Sequence, residues 1–358
     1  MTNTAIWHVD KEPPTKTTAT YGLVLFQKHV SYDQQELIHV LGDKCALLAS
    51  YKDTYVFLFI RMDALHSTPL PLVTEAPFPE ARYFIWLSQL HQANVEHLQL
   101  HSVSRLSVTK SSREKAVLCK KYIEPTLSEK GEPSISIMIA SYNAERFIGS
   151  CLRSIAQQSA IVDQTFLVDD ASTDNTLAHS NQAKIPSLTT HQLPKNVGKS
   201  KALNQIIPLI TSEWVLELDA DDWLDPDAIA QMKTLLNTHS IKDGLLYGNF
   251  RHWKQEPETI TFKKIAQGRP IHDQHDLLRY RFPLGPRLYH TASLQALGGY
   301  PASSFHEGRL FEDVLLLREW GNHYPFHYAD FTVYNVRKHD ESITKKNHSK
   351  WNDFLRYL

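Results

Sequence analysis

The sequence predicts an α/β protein in two parts. A larger domain, residues 132–358, is expected to carry a mostly parallel sheet with helices on both faces, and a smaller α+β accessory domain occupies residues 1–131. Three observations carry this. Beyond residue 134 short apolar runs alternate with segments of helical periodicity, the rhythm of a parallel sheet joined by crossover helices. Before it, strand-type runs dominate. Between them SEKGEPS, residues 128–134, collects charge, Gly and Pro without apolar periodicity, as a linker does.

In chain order, YGLVLF (21–26), YVFLFI (55–60) and HLQLHSVSRLSV (97–108) read as strands of the accessory domain, and 112–127 as a helix. SISIMIA (134–140) opens the second domain as a buried strand, and Phe147, Ile148, Cys151, Leu152 and Ile155 then recur at helical spacing. TFLVDD (165–170), LTTHQL (188–193), WVLELD (214–219) and LLYGNF (245–250) are further strands. The helix after Trp223 is marked by Asp225 as a cap, Pro226 in its first turn and an apolar stripe from Ala228 to Leu236. The C-terminal KKNHSKWNDFLRYL reads as a short mixed basic and aromatic tail able to form a partner-binding helix.

Composition narrows the function. The 358 residues are 42% apolar with 13 glycines, enough for sizeable cores, and a net charge of -1 argues against a general nucleic-acid footprint. The start lacks the apolar centre of a secretory signal and no run reaches the roughly 18 apolar residues of a spanning helix, so a cytoplasmic protein is expected, with any membrane contact peripheral. Cys45, Cys119 and Cys151 have no paired spacing and are read as reduced thiols. The 19 histidines form no HExxH or His-rich tract.

Three predicted strands end in polar clusters, SYN (141–143), DD (169–170) and DADD (219–222), where ligands of open α/β sheets bind. Carboxylates ~4 Å apart repel by roughly 4 kcal/mol at an effective dielectric near 20, so clustered aspartates need protonation, a basic partner or a cation. No Lys or Arg lies between Ser212 and Gln231, which favours a divalent ion, Mg²⁺ or Mn²⁺, holding a diphosphate. In extended backbone Asp219 and Asp221 share one side. The bland alternative is that a strand-to-helix turn simply favours Asp. In KNVGKSKALN (195–204) Asn196, Gly198 and Lys199 bring a flexible turn and cations to a helix start, either towards phosphate or as a solvated lysine face.

Taken together, SISIMIASYNAERFIGSCLRSIAQQS, FLVDDASTDNT, NVGKSKALN, WVLELDADDWLDPDAI, GGY (298–300) and FEDVLLLREW (311–320) resemble the family 2 glycosyltransferases of the Rossmann-like GT-A fold, over 134 to about 344. The resemblance implies an inverting transfer from a nucleoside diphosphate sugar, UDP-sugar foremost, to a carbohydrate, lipid-linked or protein hydroxyl. It puts Ser141, Tyr142 and Asn143 near base or ribose, Asp170 on the base, Asn196 and Lys199 near the diphosphate, and Asp219 and Ala220 in the donor site. Asp221 and His339 would ligate the metal, with Asp222 a second-choice ligand, and Asp169 is structural or ribose-facing. Asp313 matches the catalytic base, supported by Glu312; Arg337 approaches a phosphate, and Arg287 faces either the ligands or a surface salt bridge. For Glu312 and Asp313 the structural alternative is helix N-terminal preference for acids. Competing readings are a nucleotidyltransferase and a catalytically silent binding module. The front 130 residues show no family element.

Overall fold

The computed structural model describes residues 4–8, 11–14, 19, 21–26, 41, 46–51, 54–68, 70–72, 75–90, 95–100, 108–127, 133–183, 185, 187–257, 259–279, 284–340 and 350–358. The chain divides into two compact units, Met1–Pro125 and Thr126–Leu358.

In the first unit the strands are β1 (Thr4–His8), β2 (Tyr21–Leu25), β3 (Ala46–Tyr51) and β4 (Thr54–Arg61), followed by helices α1 (Met62–Ser67) and α2 (Pro79–Gln89), β5 (Val95–Gln99) and α3 (Lys110–Ile123). The sheet order is β1-β2-β4-β3-β5. Leu23, Leu47, Val56, Phe57 and Phe59 form one apolar cluster, and Trp7 donates its indole N–H to the Tyr83 hydroxyl at 2.7 Å, which satisfies both polar tips inside the core. α3 begins two residues ahead of the predicted 112, because Thr109 and Ser112 cap each other's backbone N–H groups. Cys45 and the predicted strand residues 101–107 lie outside the described residues.

The second unit runs β6 (Ile135–Ser141), α4 (Ile148–Ala156), β7 (Thr165–Asp169), α5 (Thr176–Gln182), β8 (Leu188–Gln192), α6 (Lys199–Ile206), β9 (Trp214–Glu217), β10 (Trp223–Leu224) and α7 (Ala228–Thr238). It continues through β11 (Leu245–Gln255), β12 (Ile260–Ala266), α8 (Gln274–Arg279), β13 (Arg287–His290), α9 (Thr291–Ala296), α10 (Glu312–His323), β14 (Phe326–Lys338) and α11 (Trp351–Tyr357). Its sheet has the order β10-β14-β11-β13-β9-β6-β7-β8, with β12 beside β11.

Helices cover both faces. Ile135, Ile137 and Ile139 pack with Cys151 and Leu152 of α4 and Ile229 and Met232 of α7; Met138, on the opposite face of β6, packs with Leu203 of α6 and Leu316 of α10.

The expected parallel pairing holds through β9, β6, β7 and β8, which brings the carboxyl ends of three polar-tipped strands to one edge, with Ser141 opposite Asp169. Beyond β9 the sheet is mixed rather than mostly parallel: β13 runs antiparallel to β9 and β11, while β14 is parallel to β11. The strand-helix alternation stops at α7. β11 and β12 then form a hairpin, and a hairpin pair is necessarily antiparallel.

A second difference concerns Asp225. Helix α7 starts only at Ala228, and Asp225 is no cap; it is fully buried, accepts both hydrogen bonds from Arg251 at 2.9 Å and receives one from Asn335 at 2.8 Å. An ion pair reached from 26 residues away outcompetes local capping here.

Candidate active site

Parallel pairing delivers the first group of predicted residues to the strand-end edge. Ser141 ends β6, and its hydroxyl donates to Asp169 at 3.4 Å; Asp169, fully buried, also accepts the backbone N–H and the hydroxyl of Ser172. Asp169 is thus the structural anchor of the turn that follows β7. Tyr142 projects into solvent, 50% exposed. Asn143 adopts φ +50° and its side-chain oxygen accepts the Thr173 backbone N–H at 2.9 Å, tying the two strand-end loops together.

Asp170 lies beneath the 196–199 loop. Its two carboxylate oxygens accept the backbone N–H groups of Val197 at 2.7 Å and Gly198 at 2.8 Å, so in this structure it braces the loop at the start of α6. Gly198, at φ +91°, makes the turn that a side chain would strain. Asn196 donates to the Asp170 carbonyl and accepts from the Arg309 guanidinium.

Lys199 leaves that loop towards the acidic turn. Its ammonium pairs with Asp219 and, at 2.7 Å, with Glu217. Burial opposes its charge, but the Asp219 and Glu217 carboxylates outweigh burial and hold its pKa above the ordinary lysine range. It is not a solvated lysine face.

Glu217 is the residue that sequence reasoning missed. It sits in β9 on the face opposite Leu216 and Leu218, 2% exposed, and its carboxylate collects Lys199, Arg287 at 2.7 Å and the Tyr300 hydroxyl at 2.7 Å. Burial raises its pKa, yet Arg287 and Lys199 overcome this and leave it at about 2. The available signal was a lone acid inside the apolar run WVLELD. Such a residue needs a buried partner.

Arg287 makes no surface salt bridge: it is buried on β13, with one guanidinium nitrogen on Glu217 and the other on Asp313 at 3.1 Å. Asp313 stands in the first turn of α10, and its other oxygen accepts the N–H of Val314 at 2.9 Å, in keeping with the N-terminal preference of acids. Beside it Glu312 is pushed up to about 7, first by burial and then by the neighbouring Asp313 charge.

The DADD segment is a turn and not an extended strand: the N–H of Asp222 bonds the carbonyl of Asp219 at 3.1 Å. Asp219 and Asp221 therefore part company. Asp219 faces Lys199, while Asp221 meets the His339 imidazole, Oδ2 to Nε2, at 2.9 Å. The side chain of Ala220 packs into the core with Leu218 and Leu224. Asp222 departs from the expected ligand role, because it is buried and accepts the N–H of Arg337 at 2.7 Å. Burial, then the Asp221 and Asp219 charges, push its carboxyl well above the usual carboxylate range.

β14 supplies the remaining wall, since Asn335 pairs with Trp223 and so carries Arg337 and His339 to the turn. Arg337 is buried between the rings of Phe147 and Trp223, donates to the Asp221 carbonyl at 2.9 Å, to Gln255 at 2.8 Å and to Ser150 at 3.1 Å. It therefore braces the turn. Its pKa falls to about 10, from burial, partly offset by Asp222 and Asp221. His339 rests against Phe147 at 4.7 Å between ring centroids.

The crowded acids are thus reconciled in several ways at once. Glu217, Asp219 and Asp225 receive cations from distant segments, and Asp222 is driven towards its neutral form. Asp221 and His339 remain as an oxygen and an imidazole donor side by side. Among the described residues no group of three or more His, Cys, Asp or Glu gathers as a metal cage. A two-donor set fits a Mg²⁺ or Mn²⁺ ion that takes its other ligands from phosphate and water. Free Cys119 and Cys151 are buried, as read from the sequence.

Residues 136–295 match the model of glycosyl transferase family 2. An uncharacterized glycosyltransferase of Rickettsia conorii is 26% identical over 238 residues, 63% of this chain and 38% of that protein. A chondroitin synthase of Pasteurella multocida is 30% identical over 149 residues, 37% of this chain and 15% of its own length. An N-acetylglucosaminyltransferase of Mesorhizobium japonicum is 35% identical over 114 residues, 30% of this chain and 27% of its own. The chain spans 38% and 39% of the length of the two Rickettsia proteins it matches. The solved S. aureus TarS 1–349 in complex with UDP-GlcNAc shares 20% identity at a TM-score of 0.44, covering 59% of this chain and 60% of that one, too slight a likeness to argue from. The match to glycosyl transferase family 2 falls within the Thr126–Leu358 unit and spans its strand-end residues from Ser141 to Arg287.

Proposed function

We propose that the Thr126–Leu358 unit transfers a sugar from a nucleoside diphosphate sugar, with UDP-sugar the donor class, to a hydroxyl acceptor with inversion. One observation carries the reading: Arg287 joins Asp313 to Glu217, and Lys199 joins Glu217 to Asp219, so the base candidate and the acidic turn form one continuous site.

In this mechanism the Asp313 carboxylate accepts the proton of the acceptor hydroxyl as that oxygen attacks the anomeric carbon. The bond to the diphosphate oxygen breaks, and its electron pair leaves with the nucleoside diphosphate. Arg287 holds the Asp313 carboxylate in place through a guanidinium N–H. Lys199 places positive charge beside the turn where the leaving group gains negative charge. Asp221 and His339 would hold a divalent ion, which when bound neutralises the diphosphate. The acceptor class stays carbohydrate, lipid-linked or protein hydroxyl; among the described residues no helix is long and apolar enough to cross a membrane.

Asp313→Asn is expected to lower turnover by roughly 10²–10⁴-fold while donor affinity is retained. Nucleoside diphosphate release, measured across a panel of nucleotide sugars with Mn²⁺, reads the first, and titration calorimetry the second. Normal turnover in Asp313→Asn would remove the base assignment, and release of pyrophosphate from a nucleoside triphosphate would favour nucleotidyl transfer.

A further inference from the structure

The C-terminal helix α11 has no part in the mechanism above, and the sequence suggested that it docks onto a partner. The structure instead shows it folded back on its own unit. Phe354 is fully buried, and its ring meets Phe311 at 4.8 Å and Phe305 at 5.2 Å between centroids. Trp351 adds an edge-to-face contact with Phe311 at 5.1 Å. The Tyr357 hydroxyl lies 3.2 Å from that of Ser304, and Arg318 of α10 donates to the Leu358 carbonyl at 3.2 Å.

Phe311 is an unusual residue to find at the centre of this cluster. It immediately precedes Glu312 and Asp313, and its backbone is left-handed, with φ +58° and ψ +24°. A bulky residue rarely adopts that region, and such a conformation costs on the order of 1–3 kcal/mol unless its surroundings impose it. No side chain caps α10 at this position. The ring of Phe311 lies in the aromatic cluster, against Trp351, Phe354 and Phe305. Turning Phe311 back to an extended backbone would re-aim the first turn of α10 and pull Asp313 from the 3.1 Å contact with Arg287.

We infer that α11 is a positioning clamp for the reaction: by holding the Phe311 ring it fixes the strained backbone that aims the Asp313 carboxylate. This rests on the reading of Asp313 as the base. Phe354 touches no reacting group, so its contribution is geometric. A displacement of about 1 Å at a reacting group can cost on the order of 100-fold in rate without loss of binding.

The test uses the full chain, with UDP-GlcNAc and Mn²⁺ as probe and water as the acceptor, following UDP release, UDP affinity and amide exchange over residues 312–316. Phe354→Ala is expected to lower kcat on the order of 100-fold, to leave UDP affinity within about twofold, and to speed exchange in the first turn of α10. Phe311→Gly accepts a positive φ unaided, so adding Phe354→Ala to it should cost much less than in the parent; that non-additivity is the signature of the clamp. Should Phe354→Ala fold poorly, Tyr357→Phe, which keeps the ring and removes the hydroxyl's hydrogen bonds to the 303–305 segment, is expected to give a weaker version of the same pattern. Unchanged exchange at 312–316 in Phe354→Ala, or an equal loss in both backgrounds, would overturn the clamp. Asp313→Asn separates the two readings: if it turns over normally, the base assignment fails, whereas a dead Asp313→Asn beside a normal Phe354→Ala removes the clamp alone.

Discussion

Asp219 and Asp221 stand two residues apart in one turn and are treated in opposite ways. On the Asp219 side the protein supplies its own counter-charges: Lys199 and Arg287 converge on Glu217 and reach out to Asp219 and Asp313. On the Asp221 side the carboxylate meets an imidazole, His339, while the nearby Arg337 spends its guanidinium on the Asp221 carbonyl, Gln255 and Ser150. The first arrangement is complete without a ligand. The second gains most from one. A single acidic stretch therefore meets two surroundings, a fixed electrostatic frame around Asp219 and an imidazole beside Asp221, and the difference follows from which distant segments supply partners.

The sharpest way to break this comparison is to remove the hub of the fixed frame. Glu217→Leu takes the shared anion from buried Arg287 and half-buried Lys199 and is expected to cost about 3–5 kcal/mol, read as a lowered urea midpoint. A loss below ~1 kcal/mol would show that the frame is not organised around Glu217.

Next in size come Asp221→Asn and His339→Ala. Each is expected to weaken metal-supported UDP binding by about 10–100-fold, because the ion loses one of two protein donors. Thermal shifts with UDP, Mn²⁺ and EDTA read the effect. If both variants keep the full Mn²⁺-dependent shift, the cation seat lies elsewhere.

The smallest effect concerns protons. Glu217, lowered from 4.5 to about 2, adds stability that is fully present above pH 4.5 and is lost as pH falls towards 2. Glu312 acts with the opposite sign: raised from 4.5 to about 7, it binds its proton more tightly in the folded state, so stability declines as pH rises from 4.5 to 7. Glu312→Gln should therefore raise the melting temperature by about 2–4 °C at pH 8 and have little effect at pH 4.5. An equal shift at both pH values would assign the gain to something other than ionisation.

The sequence by itself determined the strand-helix alternation from Ile135 to Thr238 and the placing of Ser141, Asp169, Asp170 and Asp219 at strand ends. Those features depend on local periodicity, and periodicity is written in neighbouring residues. Only the tertiary structure decided what the charges do. Lys199, Arg251, Arg287 and His339 lie between 18 and 118 residues from the acids they meet, a separation no local pattern encodes. For the same reason Asp225 became an ion-pair partner rather than a helix cap, the DADD backbone turned where extension was expected, and the aromatic tail closed on Phe311. Electrostatic and packing partners are chosen by proximity in three dimensions, and the sheet order that sets β14 beside β10 and β13 beside β9 creates that proximity.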